Sequence, residues 1–310
     1  MKFSVTIPTY KSRYLREAIE SVVCQTYGDW ELIIVDDCSP ENIRGIAEPF
    51  LTDSRIHYYR NEQNYGAKRL VENWNHCLNF CKGELIICMG DDDRLLPCCL
   101  DELSNLADNH PDLNVYHSQT EIIDEKGLVS EQLEQRPEYE DALAMIRRKW
   151  QGQKQFVGDF CYRREHLISC GGFYSLPFAW GSDDITAFRA ALDKGIANTQ
   201  INCFQYRENR HSISSSFNDK EKIEAVCMQQ KWYMETFNSI RQQGRYSEAD
   251  IKTAEDAMNS FIKRLTSYHI LRDMQRSGLK GFAHWCMYTE RSSLSVPTLT
   301  KLYFKTLFEK

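Results

Sequence analysis

Three consecutive aspartates, Asp91, Asp92 and Asp93, close the apolar run in residues 83–97, GELIICMGDDDRLLP. Adjacent carboxylates repel each other by roughly 1 kcal/mol per close pair in water, and by several times that at a half-buried site. One aspartate suffices for a turn after a buried strand, so three require a compensating charge. A divalent cation bound through oxygen ligands supplies it. The carboxyl ends of strands are also where open α/β sheets receive ligands. The motif points to a metal site that holds an anionic substrate.

Two other strand ends carry groups suited to the same ligand. The first predicted strand ends in Pro8, Thr9 and Tyr10, the second in Asp36, Asp37, Cys38 and Ser39. Adjacent parallel strands bring these ends together, with an aromatic face from Tyr10 and acceptors from Asp36 and Asp37. A nucleobase needs a stacking face and an acceptor for its ring N–H. Taken singly, an aspartate after a strand reads equally well as a helix cap. Together with the triple aspartate, the set reads as a nucleotide site.

The elements that must position these groups alternate. Residues 2–8 (KFSVTIP) read as a strand. Residues 12–25 read as a helix, with Leu15, Ala18, Ile19, Val22 and Val23 on one face. Residues 30–35 (WELIIV) form a strand apolar on both faces. A short helix over 42–50, a strand over 56–60, an amphipathic helix over 67–81 and a strand over 84–89 follow. This spacing implies an α/β fold with a mainly parallel central sheet flanked by helices. Residues 113–123 read as a strand, followed by a turn and a second strand. Residues 132–155 are polar and charged and read as mobile, and a helix starts near Asp183. From Phe217 onward the pattern is helical, with a cap at Ser247 and helix to about Arg276. The expected domains are 1–216 and a helical C-terminal extension, 217–310.

Composition narrows the function classes. The 310 residues are 42% hydrophobic and 12% aromatic, which is globular. No run of 18 apolar residues marks a membrane span, and the N-terminal apolar stretch is too short for a signal peptide, so a cytoplasmic location is expected. The 12 cysteines include no CxxC pair, and several sit in apolar periodic segments where they pack as small hydrophobes. Net charge is −6. Residues 217–310 hold 15 Lys and Arg against 11 Asp and Glu, leaving the first 216 residues at −10. So acidic a part does not bind nucleic acid, but it takes a phosphate ester if a cation bridges the two.

The chain resembles the family 2 glycosyltransferases, inverting nucleotide-sugar transferases with the GT-A (nucleotide-diphospho-sugar transferase) fold that build bacterial polysaccharides. The resemblance rests on SVTIPTYK, SVVCQTYGDWELIIVDDCS, NYGAKRLVENWN, GELIICMGDDDRLLP and GGF…WGSDD, in the family's order over about residues 3–215. It implies that Tyr10 stacks on the base, with Pro8 and Thr9 as pocket wall. Asp37, or its neighbour Asp36, would accept the uracil N–H. Arg69, with Lys68 as alternate, would be a basic contact to the nucleotide. In the acidic DXD motif, Asp91 would contact the ribose and Asp92 the metal, with Asp93 as a further ligand or a helix cap. The family pattern opens this motif with an aspartate, where this chain has Gly90. In the WGSDD segment the resemblance makes Asp183 the catalytic base, with Asp184 as runner-up. It places Arg207 near the diphosphate and His211 near the diphosphate or metal.

The expected reaction is transfer of a sugar from a nucleotide-diphosphate donor, UDP-sugar favoured, to a saccharide or lipid-linked saccharide acceptor, with Mg²⁺ or Mn²⁺ as cofactor. Two rivals remain. A sugar nucleotidyltransferase would need a glycine-rich basic loop after the first strand, where this chain has Pro8-Thr9-Tyr10-Lys11-Ser12. A non-catalytic module that only binds a nucleotide sugar or a partner would not need Asp91, Asp92 and Asp183. The helical extension is expected to pack on the acceptor side, pair subunits into a homodimer, or make peripheral contact at the inner face of the membrane.

Overall fold

The structure, a computed structural model, describes residues 1–209, 219–287, 289 and 294–308. Contacts divide it into two units. One comprises Met1–Met145, Gln153–Ser175 and Ser182–Arg210; the other comprises Ile146–Gly152, Leu176–Gly181 and the residues from His211 onward.

The first unit is built on one curled sheet. It opens with β1 (Phe3–Thr9), α1 (Leu15–Val23), β2 (Trp30–Asp36), α2 (Ile43–Ala47), β3 (Ile56–Arg60), α3 (Leu70–Cys77) and β4 (Leu85–Cys88). There follow β5 (Arg94–Leu95), α4 (Cys99–Asn109), β6 (Val115–Ile123), β7 (Val129–Gln132), β8 (Tyr139–Glu140) and α5 (Ala142–Trp150), whose residues from Ile146 onward belong to the second unit. It closes with β9 (Phe160–Arg163), α6 (Arg164–Ser169), α7 (Ser182–Ala191) and β10 (Ile196–Arg207). The strands run in the order β3-β2-β1-β4-β9-β6-β10-β5, with β7 on β6 and β8 on β10.

The half from β3 to β4 is parallel throughout, as βαβ connections require. Beyond β4 the sheet is mixed: β9 is antiparallel to both β4 and β6, while β10 lies parallel to β6. Every residue of β2 is buried, because helices cover both faces. Val5, Ile7, Leu32, Ile34 and Ile87 join Leu15, Ile19 and Val22 of α1 in the core. Burying each such side chain contributes about 1.5–3 kcal/mol.

Residues 132–155 differ from the expectation of a mobile segment. They hold β8 and α5, and Leu143, Met145, Ile146 and Trp150 are buried there. The charged residues of this stretch hid a short apolar face. Arg136 and Glu140 are buried beside it, their heads 3.9 Å apart. The expected helix over 67–81 is also broken, into 3₁₀ turns on either side of α3.

The second unit is helical: α8 (Asp219–Gln243), α9 (Glu248–Ser277), α10 (Leu279–Met287) and α11 (Val296–Phe308). Ser247 caps α9 by accepting from Asp250 N at 3.1 Å. Ile223, Ile270, Met274, Trp285, Leu294 and Leu299 form the core of this unit. Among the described residues no helix is long and apolar enough to cross a membrane.

Candidate active site

Strand register delivers the loops that carry the acidic groups to one edge of the sheet. Thr9 pairs with Asp36 across β1 and β2, and Thr6 with Cys88 across β1 and β4. Met89 then donates its N–H to Thr6 O at 3.0 Å. Tyr10, Asp37 and Gly90 therefore leave their strands side by side.

Each aspartate of the β4 loop has a different task. Asp91 Oδ2 accepts from Thr9 Oγ1 at 2.9 Å, Tyr10 N at 2.9 Å and Lys11 N at 3.0 Å, which ties the β1 loop to the β4 loop. Asp92 Oδ2 accepts from Asn209 Nδ2 at 2.5 Å. Asp93 is buried, and its Oδ1 accepts from Arg207 N at 2.9 Å. The remaining oxygens, Asp92 Oδ1 and Asp93 Oδ2, each lie 2.9 Å from where a Cβ on Gly90 would sit. Both oxygens lie against Gly90, and a side chain at residue 90 would have to shift them.

Desolvation raises the pKa of all three carboxyls, because water is withdrawn from the charged form. In Asp92 the charge of Asp91 adds to burial and the group is pushed up to about 6. Asp93 goes well above the usual range through burial and then the charge of Asp92, against the opposing Arg207 N–H. Three negative groups thus crowd a dry strand end with few compensating donors.

Arg207 supports this loop from within. It is buried, with Nε donating to Asp92 O at 2.8 Å, Nη1 to Asp124 O at 3.2 Å and Nη2 to Glu17 Oε2 at 2.6 Å. Its guanidinium also lies 4.2 Å over the Tyr14 ring. These contacts spend the fork on the protein's own groups, where the resemblance places a contact to the diphosphate. His211, the other expected group of that segment, lies outside the described residues.

The β2 end is built differently. Asp36 is fully buried, with Oδ2 accepting from Tyr58 Oη at 2.7 Å and from Arg60, and Oδ1 from Ser39 N at 2.8 Å. Asp37 Oδ1 accepts from Asn61 Nδ2 at 2.9 Å and Tyr65 N at 3.0 Å; Oδ2 has a single long contact, 3.3 Å from Gly66 N. Of the two, Asp37 keeps acceptor capacity for a ligand. Thr9 is buried, Pro8 is partly buried, and the Tyr10 ring is 42% exposed, open for stacking. Lys68 and Arg69 are exposed; Arg69 pairs with Glu72 at 2.6 Å and sits 4.9 Å over the Tyr65 ring.

Asp183 and Asp184 occupy the first turn of α7. Asp184 is buried, and its Oδ1 accepts from Gln155 Nε2 at 2.8 Å; Gln155 Oε1 in turn accepts from Arg136 Nη2 at 2.8 Å. Asp183 is partly exposed, and its Oδ1 accepts from Asp184 N at 2.9 Å. Tyr206 lies within the field of both acidic groups. Its ring stacks on Phe156 at 3.6 Å, and its hydroxyl pKa is driven up by burial and then by the charges of Asp93, Asp92, Glu208 and Asp183. The loop carboxylates and Asp183 therefore act on one phenol.

Sequence reasoning missed Asn209, Glu17, Asn61, Gln155 and Arg136. Each is polar and buried or half-buried; all but Arg136 touch a candidate site residue, and Arg136 reaches Asp184 through Gln155, yet none falls in a motif. Gly171 and Gly172, both at positive φ, serve a turn packed against Asn75, which accepts from Phe173 N at 2.7 Å.

The model of "Glycosyl transferase family 2" matches residues 4–171. An uncharacterized glycosyltransferase, MJ1057 of Methanocaldococcus jannaschii, is 35% identical over 131 residues, which cover 40% of this chain and 43% of that protein. The poly(ribitol-phosphate) beta-N-acetylglucosaminyltransferase TarS of Staphylococcus aureus is 29% identical over 131 residues, 41% of this chain and 22% of TarS. The chain thus spans less than half the length of the curated relatives it matches. The crystal structure of TarS residues 1–349 in complex with UDP-GlcNAc superposes with a TM-score of 0.70 at 16% identity, covering 100% of this chain and 93% of that one. The mannosyltransferase PcManGT from Pyrobaculum calidifontis, in complex with GDP-Man and Mn²⁺, gives a TM-score of 0.52 at 16% identity over 100% and 88%. The likeness to TarS fixes the fold as GT-A. The family model covers more than half of the sequence, and the chain belongs to glycosyl transferase family 2.

Proposed function

We propose that this chain transfers a glycosyl group from a nucleotide-diphosphate sugar, UDP-sugar favoured, to an acceptor hydroxyl in polysaccharide synthesis, with inversion at the anomeric carbon. The observation that carries the reading is the negatively crowded end of β4, where Asp92 Oδ1 and Asp93 Oδ2 both lie against Gly90. The names of TarS and its UDP-GlcNAc complex support the donor class, and the Mn²⁺ complex of PcManGT supports use of a divalent ion.

Among the described residues no three His, Cys, Asp or Glu side chains converge on one point. Two carboxylates, Asp92 and Asp93, lie together against Gly90 at the β4 end, and Mg²⁺ and related ions commonly take one or two carboxylates plus the phosphate oxygens of a substrate. The donor set therefore fits, with Asp92 and Asp93 as the holding residues. A divalent ion there would supply Lewis-acid neutralisation of the leaving nucleoside diphosphate.

The chain's own residues do the rest. Tyr10 stacks on the base. Asp37 accepts the base N–H through the oxygen that has only one long contact. Asp91 holds the base-binding and acidic loops together through Oδ2, and its Oδ1, which accepts nothing from the described residues, meets a ribose hydroxyl. Asp183 takes the acceptor's proton as its oxygen attacks, a role Asp184 cannot fill while committed to Gln155. One displacement by the acceptor inverts the configuration. The domain limits 1–216 and 217–310 remain the division we favour for catalytic and appended parts.

The test is donor binding. Calorimetry with UDP-, GDP- and dTDP-sugars, each with and without Mn²⁺, should give Mn²⁺-dependent binding of one nucleotide class. Binding of that class lost in Tyr10→Ala and Asp37→Asn, but not in Asp36→Asn, supports the site. Tight binding unaffected by Mn²⁺ and by Asp92→Asn would overturn it.

A further inference from the structure

The transfer reaction as proposed leaves a hydroxyl beside the acidic loop idle, that of Tyr206. Side chains alternate along a strand. Arg207 at the end of β10 turns to Glu17 and Tyr14, so Tyr206 turns to the opposite face. There its ring lies flat on Phe156, with centroids 3.6 Å apart and planes 5° apart. Phe156 leads the 3₁₀ turn Val157–Asp159, and Asp159 Oδ2 accepts from Phe156 N at 3.1 Å. Gly158 seats this turn against the acidic loop. A Cβ on it would collide with the Phe204 ring and lie 3.3 Å from Cα of Met89, the residue before Gly90. On the other side of Phe156, Gln155 holds Asp184 in the first turn of α7. The stacked pair therefore stands between the β4 carboxylates and the start of α7.

Tyr206 is partly buried, and its hydroxyl makes no hydrogen bond among the described residues. Its neighbour Arg207 has the guanidinium committed to Asp92 O, Asp124 O and Glu17. The phenol thus keeps a donor to spare where the fork does not. Burial, and then the charges of Asp93, Asp92, Glu208 and Asp183, hold the proton on it. A ligand there meets a neutral O–H and no phenolate. Arg207 N donates to Asp93 Oδ1 at 2.9 Å, so the backbone ties the phenol to the acidic loop through a single residue. The strongest acceptors that can enter beside that loop are the oxygens of a cation-bound diphosphate. A neutral hydroxyl bonds them with the added strength of an ionised acceptor and no like-charge repulsion.

We propose that Tyr206 is a donor-binding residue of the transfer site, its Oη–H donating to a terminal phosphate oxygen of the nucleoside diphosphate. This role rests on the transfer reading and adds to it a contact that tells diphosphate from monophosphate. The bond strengthens as charge gathers on the departing diphosphate, so it serves turnover as well as binding. The full chain is tested as wild type, Tyr206→Phe and Tyr206→Leu, with Mn²⁺ present. Displacement of bound donor by UDP, GDP and dTDP, and by UMP, GMP and dTMP, reads both affinities. In Tyr206→Phe the diphosphate that the wild type binds should weaken by about tenfold, and the matching monophosphate by less than about twofold. The phenylalanine keeps the stack on Phe156, so its circular dichroism melt should match wild type while kcat falls by about 10²-fold. Tyr206→Phe with wild-type affinity and turnover, beside losses in Tyr206→Leu, makes the residue a structural platform and overturns the role. Equal losses of monophosphate and diphosphate in Tyr206→Phe overturn it too. A wild type that binds no nucleotide overturns the transfer reading and this role together; the two preceding outcomes overturn the role alone.

Discussion

The ends of β2 and β4 both carry runs of aspartate, yet the protein treats them in opposite ways. At β2, Asp36 is satisfied by Tyr58, Arg60 and Ser39, and Asp37 leans on Asn61 and Tyr65. At β4, Asp91, Asp92 and Asp93 crowd one another in a dry loop, and their protonation is favoured. The first end is a finished structural joint with one oxygen to spare. The second is held under electrostatic tension that the proposed cation would relieve. Acidic motifs of similar appearance thus divide into scaffold and chemistry according to which partners the fold brings to them.

The largest effect that would sharpen this contrast is on turnover. Asp92→Asn and Asp183→Asn should each lower kcat by about 10³-fold, or ~4 kcal/mol in barrier, with far-ultraviolet spectra unchanged. Release of nucleoside diphosphate measures this, and near-normal turnover in Asp183→Asn would remove it as base.

Stability should move the opposite way at β4. The Asp92 carboxyl titrates at about 6 in the fold against an ordinary 3.8, so the folded state holds its proton longer than the unfolded state does. Its cost is therefore absent below about pH 4, grows as pH rises through 4 to 6, and is complete above, at most about 3 kcal/mol. Metal-free Asp92→Asn should be more stable than wild type in urea at pH 7, and the difference should vanish near pH 4. Mn²⁺ with UDP should raise the Tm of wild type and not that of the variant.

At β2 the same substitution should destabilise. Asp36→Asn strips the charge from a carboxylate that serves Tyr58, Arg60 and Ser39, and should cost about 1–3 kcal/mol at pH 7. Opposite signs for Asp36→Asn and Asp92→Asn, read by urea denaturation, are the direct check of the comparison; equal signs would break it. The smallest expected effect belongs to Arg69→Ala. This exposed side chain is shared with Glu72 and should shift KM for the donor by less than tenfold, since such pairs contribute ~1 kcal/mol or less.

The alternation of apolar strands with amphipathic helices was legible up to β4, because burial on both faces and 3.6-residue periodicity leave direct marks in the sequence. The mixed half of the sheet was harder to read. Here β9 is inserted between β4 and β6, a long-range pairing without local signature. Residues 132–155 looked mobile because their charges outnumber their apolar positions, and only packing shows Arg136 and Gln155 turned inward behind Asp184.

By itself, the sequence determined the α/β order, the acidic and aromatic groups at strand ends, and the family to which they belong. Tertiary structure decided which of those groups are free to act. Asn209 reaches Asp92 across 117 residues, and Arg207 reaches Glu17 across 190. A carboxylate's chemistry depends on the donors and the dryness around it. Those are supplied by chain segments that meet only in the folded state.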